Sequence, residues 1–190
     1  MIRLYIASLI PLILSGCVTL SWRHHMNQTE FKHYIIDAAV ADEKVSGVYA
    51  EVTVGQAIQE SAWGQSKLTL LAKNLFGIKA DNGWQGDFIV MHTNEYIRGK
   101  LLDESASFRK YTTLGESIAD HSKFLKDNPR YAHALTPNNW ESSIQMIQLA
   151  GYATDPTYAK QIIDLITRGD ADGISLETDI QLAREARDEP

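Results

Sequence analysis

A single pair of alternating stretches interrupts a chain whose apolar residues otherwise recur at helical spacing. Phe88, Val90 and His92 alternate with Ile89, Met91 and Thr93, and a turn at Gly99-Lys100 leads to a second extended stretch through Ser107 to Tyr111. This predicts one β-hairpin, with Glu95 near its tip. A two-stranded hairpin is marginal in water unless it leans on something else. The remaining elements must therefore supply the support, and the fold class is α+β, mainly helical with a small hairpin flap. With 190 residues, 44% of them hydrophobic, the chain has enough material for one core and short appendages.

Start and stop signals place the helices. Asn27 or Thr29 caps a first helix carrying Phe31, Ile35, Ala38 and Ala39, which Ser46 and Gly47 break. A second is expected from about Val48 to Trp63, with Ala50, Val54, Ala57, Ile58 and Ser61 as its inner stripe and Gly64 as its stop. A short helical piece follows around Lys67 to Ala72, and residues 74–84 read as loop. Thr113 and Glu116 form a capping box for a helix ended by Asn128-Pro129. One more helix starts at Asn138 or Asn139, and another is capped by Asp155 with Pro156 in its first position. From Gly169 on, the chain reads as an acidic, loosely attached tail with a short helix.

The N-terminus points to export. Leu4 to Leu14 is apolar and too short to span a bilayer comfortably, which suits a signal-peptide core. Leu14, Ser15 and Gly16 lead into Cys17, the only cysteine, and this resembles the bacterial lipobox, in which the cysteine becomes the lipidated N-terminus. An uncleaved anchor with an incidental cysteine is the alternative. The expected organisation is a lipoprotein signal peptide at 1–16, a tether at 17–28, a catalytic domain at 29–168 and the tail at 169–190.

A formal charge of −6 argues against nucleic acid as a partner. The six histidines lack metal-ligand spacing, so no metal and no cofactor is expected. Glu60, in the last turn of the second helix, is the candidate for chemistry. The helix macrodipole and partial burial against Trp63 both favour its protonated form, as a general acid requires. Position alone also allows a solvated glutamate on a polar face.

The residues around it narrow the choice. Gln56-Ala57-Ile58-Gln59-Glu60-Ser61-Ala62-Trp63-Gly64, followed by Asn74-Leu75-Phe76-Gly77-Ile78-Lys79, closely resembles the signature of glycoside hydrolase family 73, the bacterial endo-β-N-acetylglucosaminidases. Trp84-Gln85-Gly86, Thr93-Asn94-Glu95-Tyr96, Phe108-Arg109-Lys110-Tyr111, Asn128-Pro129-Arg130-Tyr131 and Gly151-Tyr152-Ala153-Thr154-Asp155-Pro156 match in order the catalytic domain of the flagellar rod-associated peptidoglycan hydrolases. The resemblance implies a lysozyme-like fold and cleavage of the β-1,4 bond between N-acetylglucosamine and N-acetylmuramic acid in peptidoglycan strands. It carries the general acid to Glu60, a second acidic role to Glu95 and support of the substrate acetamido group or developing positive charge to Tyr152. Asn74 is read as support tying its loop to the catalytic helix. Phe76 and Trp84 are candidate sugar platforms, or equally core, and Phe108 and Tyr111 anchor the hairpin.

Only a lipobox and a few polar residues precede Thr29, so no rod-building role is inherited. The expectation is a monomer tethered by lipid to a membrane of the cell envelope, acting on peptidoglycan. Two alternatives remain. Glu60-Ser61 also resembles the Glu-Ser pair of lytic transglycosylases, although Asn-Leu-Phe-Gly-Ile-Lys stands where that group has Gly-Leu-Met-Gln. An inactive peptidoglycan-binding lipoprotein is the non-enzyme reading.

Overall fold

The computed structural model describes residues 26–81, 83–97, 100–169 and 173–188, with 93–97 and 100–104 described by backbone alone. Cys17 and the expected signal peptide lie outside the described residues, as do tether residues 17–25. Seven α-helices are described: α1 (Gln28–Ser46), α2 (Ala50–Ser61), α3 (Lys67–Ala72), α4 (Leu114–Asp127), α5 (Trp140–Leu149), α6 (Tyr158–Thr167) and α7 (Leu176–Asp188). A hairpin, β1 (Phe88–Ile97) and β2 (Lys100–Arg109), sits between α3 and α4, and a 3-10 helix (Pro129–Leu135) between α4 and α5. The fold is the mainly helical α+β domain that the sequence predicts.

The α2 helix is the axle of the domain. Every residue from Ala50 to Ile58 is buried, so the apolar stripe expected from the sequence is too narrow, and Glu51, Thr53 and Gln56 lie inside as well. A helix covered on all sides sits in the middle of its domain. Here it is enclosed by α1, α5, α6 and α7. Gly55 permits the closest of these approaches, because a Cβ there would stand 2.6 Å from Cγ2 of Ile162 on α6. That contact brings the polar residues of α2 within reach of α6.

Three local readings are corrected. Thr113 does cap α4, but Glu116 returns its carboxylate to the N–H of Thr112 at 2.8 Å and not to that of Thr113. The last inner helix begins at Tyr158, and Asp155 folds its carboxylate onto Thr157 ahead of it instead of capping from Pro156. The acidic tail is also firmly docked. Leu176 and Ile180 join the core, and Arg184 forks onto Glu51 at 2.6 Å and Glu43 at 2.9 Å. Glu51 is 4% exposed, so its charge is tolerated because Arg184 supplies a two-pronged partner. The domain therefore runs through Asp188, well beyond residue 168.

The hairpin is antiparallel, with Glu95 opposite Leu102 and Ile97 opposite Lys100. Its inward face carries Met91 and Phe108, packed against Leu68 and Ala72, while Phe88 and Val90 on the other face are exposed. Backbone bonds from Ala80 to Ser107 and from Arg109 to Ile78 sew its base to the loop after α3. The far end has no comparable seam among the described residues. Packing thus fixes the base of the hairpin and leaves Glu95 on the distal part.

Candidate active site

Glu60 occupies the last turn of α2, one residue before Ser61 ends it. The turn beyond is unusual: Ala62 (φ 50°), Trp63 (φ 58°) and Gly64 (φ 76°) are all left-handed, and two of them carry side chains that disfavour this conformation. Ser61 Oγ receives the Gly64 N–H at 2.7 Å, and the Ser66 N–H bonds to the Ser61 carbonyl, which together hold the turn. The chain is thereby stopped abruptly and Glu60 is left at the helix terminus. Strain gathered in such a place is typical of functional sites.

The Glu60 carboxyl is largely withdrawn from water. Burial pushes its pKa up to about 7, opposed by a hydrogen bond that the Tyr158 hydroxyl donates to Oε1 at 2.8 Å. Gln56 Nε2, one turn back on α2, donates to the same tyrosine oxygen at 3.0 Å. Acid, tyrosine and glutamine therefore form one unit across the α2–α6 contact that Gly55 makes possible. Trp63, expected to dry the carboxyl, lines a cavity with Lys32, Leu165 and Leu176. A carboxylic acid that keeps its proton near neutrality can protonate a departing sugar oxygen.

Tyr152 is 1% exposed, so it does not present a surface to a sugar. Its ring packs on Tyr158 (centroids 5.8 Å), Tyr131 (6.1 Å) and the edge of His121 (6.2 Å). The hydroxyl that touches the acid belongs to Tyr158, six residues later. Sequence reasoning passed over Tyr158 although it follows directly on the matched Gly151–Pro156 motif, two residues after the proline. His121, fully buried and stacked on Phe76 at 3.9 Å, gave no signal beyond its place on the inner face of α4.

Phe76 is 0% exposed and so is core, not a sugar platform. Trp84 is half-buried and built into the hairpin base. Its indole N–H donates to the Asp87 carbonyl, the Arg109 guanidinium lies 4.6 Å from its ring centroid, and Tyr111 meets it edge to face. Asn74 does act as support, with different partners from those expected. Its side-chain amide donates to the carbonyls of Ile78 and Arg109, both at 2.9 Å, and its oxygen receives the Ile78 N–H. It ties its own loop to the hairpin, not to the catalytic helix.

The anchoring pair behaves as its sequence suggests. Phe108 packs on α3 and the Tyr111 hydroxyl donates to Asp120 at 2.7 Å, where Arg109 also binds. Glu95 lies on β1 in the same alternation as Ile89 and Met91, the face that packs on α3 at the hairpin base; its side chain lies outside the described residues. Among the described residues no group of three or more His, Cys, Asp or Glu is placed to hold a metal.

Comparison with known proteins gives a consistent picture. The glucosaminidase family, described as mannosyl-glycoprotein endo-beta-N-acetylglucosaminidase, matches residues 36–171. The peptidoglycan hydrolase FlgJ of Vibrio cholerae is 40% identical over 143 residues, covering 73% of this chain and 42% of that protein. The exo-glucosaminidase LytG of Bacillus subtilis is 38% identical over 130 residues, 66% of this chain and 45% of that one. The chain thus spans less than half the length of these curated relatives. Among solved structures, the C-terminally truncated glycoside hydrolase domain of Salmonella typhimurium FlgJ superposes with a TM-score of 0.60 at 33% identity, covering 73% of this chain and 94% of that domain. The catalytic domain of the Listeria monocytogenes autolysin Auto gives 0.69 at 28% identity, over 89% of this chain and 91% of that domain.

Proposed function

Because this chain belongs to the glucosaminidase family of glycoside hydrolases, we propose that it cleaves the β-1,4 bond between N-acetylglucosamine and N-acetylmuramic acid in peptidoglycan strands, with Glu60 as the general acid. The observation that carries this reading is the state of Glu60, a carboxyl at a strained helix end whose pKa burial lifts to about 7. A binding module has no use for such an acid. The family match and the hydrolase relatives favour hydrolysis over the transglycosylase alternative.

In this mechanism Glu60 gives its proton to the glycosidic oxygen as the bond breaks. Tyr158 keeps the carboxyl aimed and stabilises the carboxylate left behind. Glu95, carried on the hairpin, is the second carboxylate and activates water from the opposite face of the sugar. In an inverting enzyme the two carboxyl groups stand about 6.5–9.5 Å apart when the flap closes. Tyr152 acts from behind Tyr158, not on the sugar. Trp84 offers its uncovered edge at the hairpin base to the glycan.

We further read Cys17 as the lipid attachment point, which tethers a monomeric enzyme to a membrane of the cell envelope. Among the described residues no helix is long and apolar enough to cross a membrane. Replacing Cys17→Ser is expected to release the protein from the membrane fraction or block its processing; retained attachment points to an uncleaved anchor.

The deciding experiment is mass spectrometry of muropeptides released by the full chain and by Glu60→Gln. Reducing-end N-acetylglucosamine products, lost in the variant, are expected. Anhydromuramic ends would make the protein a transglycosylase, and an active Glu60→Gln would remove the acid from the mechanism. NMR of the first product separates two routes: an α-anomer supports Glu95 as base, and a β-anomer means that the substrate's acetamido group is the internal nucleophile.

A further inference from the structure

His121 is a costly residue for its position. It sits on the buried face of α4 at 0% exposure, its ring parallel to Phe76 (14°, 3.9 Å), and neither nitrogen has a hydrogen-bond partner among the described residues. The Tyr152 hydroxyl, on the ring that His121 meets edge to face, is equally buried and also lacks a partner among the described residues. Leaving a buried polar group unpaired costs about 1–3 kcal/mol, and a phenylalanine would fill the same flat space without that cost. Two such groups side by side call for an explanation beyond packing.

Three unpaired polar atoms, two imidazole nitrogens and one hydroxyl oxygen, occur on rings in contact. A neutral imidazole presents one donor and one acceptor, and a tyrosine hydroxyl can do both. Burial holds His121 neutral, with its pKa pushed down to about 3. This is the inventory that one internal water, with its two to four hydrogen bonds, satisfies. From that point a continuous path leads to the acid. The Tyr152 ring lies against Tyr158 at 5.8 Å and 32°, and the Tyr158 hydroxyl reaches Glu60 at 2.8 Å.

We propose that His121 is a positioning residue for the catalytic acid, acting through one water buried between its imidazole and the Tyr152 hydroxyl, which locks Tyr152 and therefore Tyr158 in register with Glu60. The proposal rests on the reading of Glu60 as the acid. Among the described residues the groups facing Glu60 are the hydroxyls of Tyr158 on α6 and, behind it, of Tyr152. Behind those stand Tyr131 on the 3-10 helix and His121 on α4, and among the described residues no cation contributes to the Glu60 shift. Loosening Tyr158 therefore weakens the hydrogen bond that favours the Glu60 carboxylate, and the basic limb of activity moves up in pH.

The test uses the full chain with His121→Phe, Tyr152→Phe, the double variant and His121→Gln, each assayed on purified peptidoglycan across pH, with thermal unfolding in parallel. His121→Phe is expected to fold, to keep its KM and to lose about tenfold in kcat, a change of roughly 1.4 kcal/mol in the barrier, while the basic limb rises. His121→Gln, which keeps a donor and an acceptor, restores both. Adding Tyr152→Phe to His121→Phe brings no further loss, because the two share one water. Wild-type kcat and an unmoved limb in His121→Phe would overturn the proposal, as would losses that multiply in the double variant. If His121→Phe does not fold, Tyr152→Phe carries the test alone: the same kcat loss and raised limb are expected, and wild-type behaviour there overturns the proposal. Glu60→Gln in the same series keeps the two readings apart: activity there refutes the acid, whereas its loss beside an unaffected His121→Phe refutes only the positioning role.

Discussion

Replacing Glu60→Gln should make the protein more stable at alkaline pH and leave its stability at acid pH nearly unchanged. An ordinary glutamate titrates at 4.5, and burial lifts Glu60 to about 7 in the folded protein. Below 4.5 the group is protonated in both folded and unfolded chains and contributes nothing. As pH rises from 4.5 towards 7 the unfolded chain ionises first, so folding must hold a proton that the unfolded state has released. The resulting cost grows through that window and levels off above 7 at about 3 kcal/mol. Glutamine has the same shape and no titration, so it escapes the cost. Urea unfolding of both proteins at pH 4 and at pH 8.5 measures it. The two should differ by about 3 kcal/mol more at the higher pH, with the variant the more stable and the inactive one. Curves that run parallel across this range would show that Glu60 is not desolvated in the fold, and the argument for a proton held near neutrality would fail with it.

Tyr158→Phe removes the bond that lowers the Glu60 pKa, so the basic limb of kcat/KM should move above 7 and kcat should fall, as a pH–rate profile will record. Arg184→Ala leaves Glu51 buried without its main partner and should cost about 2–4 kcal/mol in urea unfolding; adding Glu51→Gln should recover part of this because the orphaned charge is gone. Ala62→Gly relieves a left-handed alanine and should raise stability by about 1 kcal/mol with activity retained. Thermal unfolding and muropeptide release together check that last pair of outcomes.

Local rules determined much of this protein. Helical spacing and start and stop residues located nearly every helix, because caps such as Asn27, Thr113 and Asn139 act on backbone groups a few residues away. Alternation located the hairpin for the same reason, and the ordered motifs singled out Glu60. What no local rule reaches is which residues meet across the core. The Glu60 carboxyl is part-buried and bound because α2 and α6 approach over Gly55, and that contact selects Tyr158, 98 positions away, over the better-matched Tyr152. Phe76 is hidden because α4 lays His121 on it. The acidic tail is part of the domain because Arg184 finds two carboxylates, on α1 and α2, more than 130 positions earlier in the chain. Burial and long-range pairing are properties of the assembled core, and they raise the pKa of a glutamate at a helix end towards neutrality.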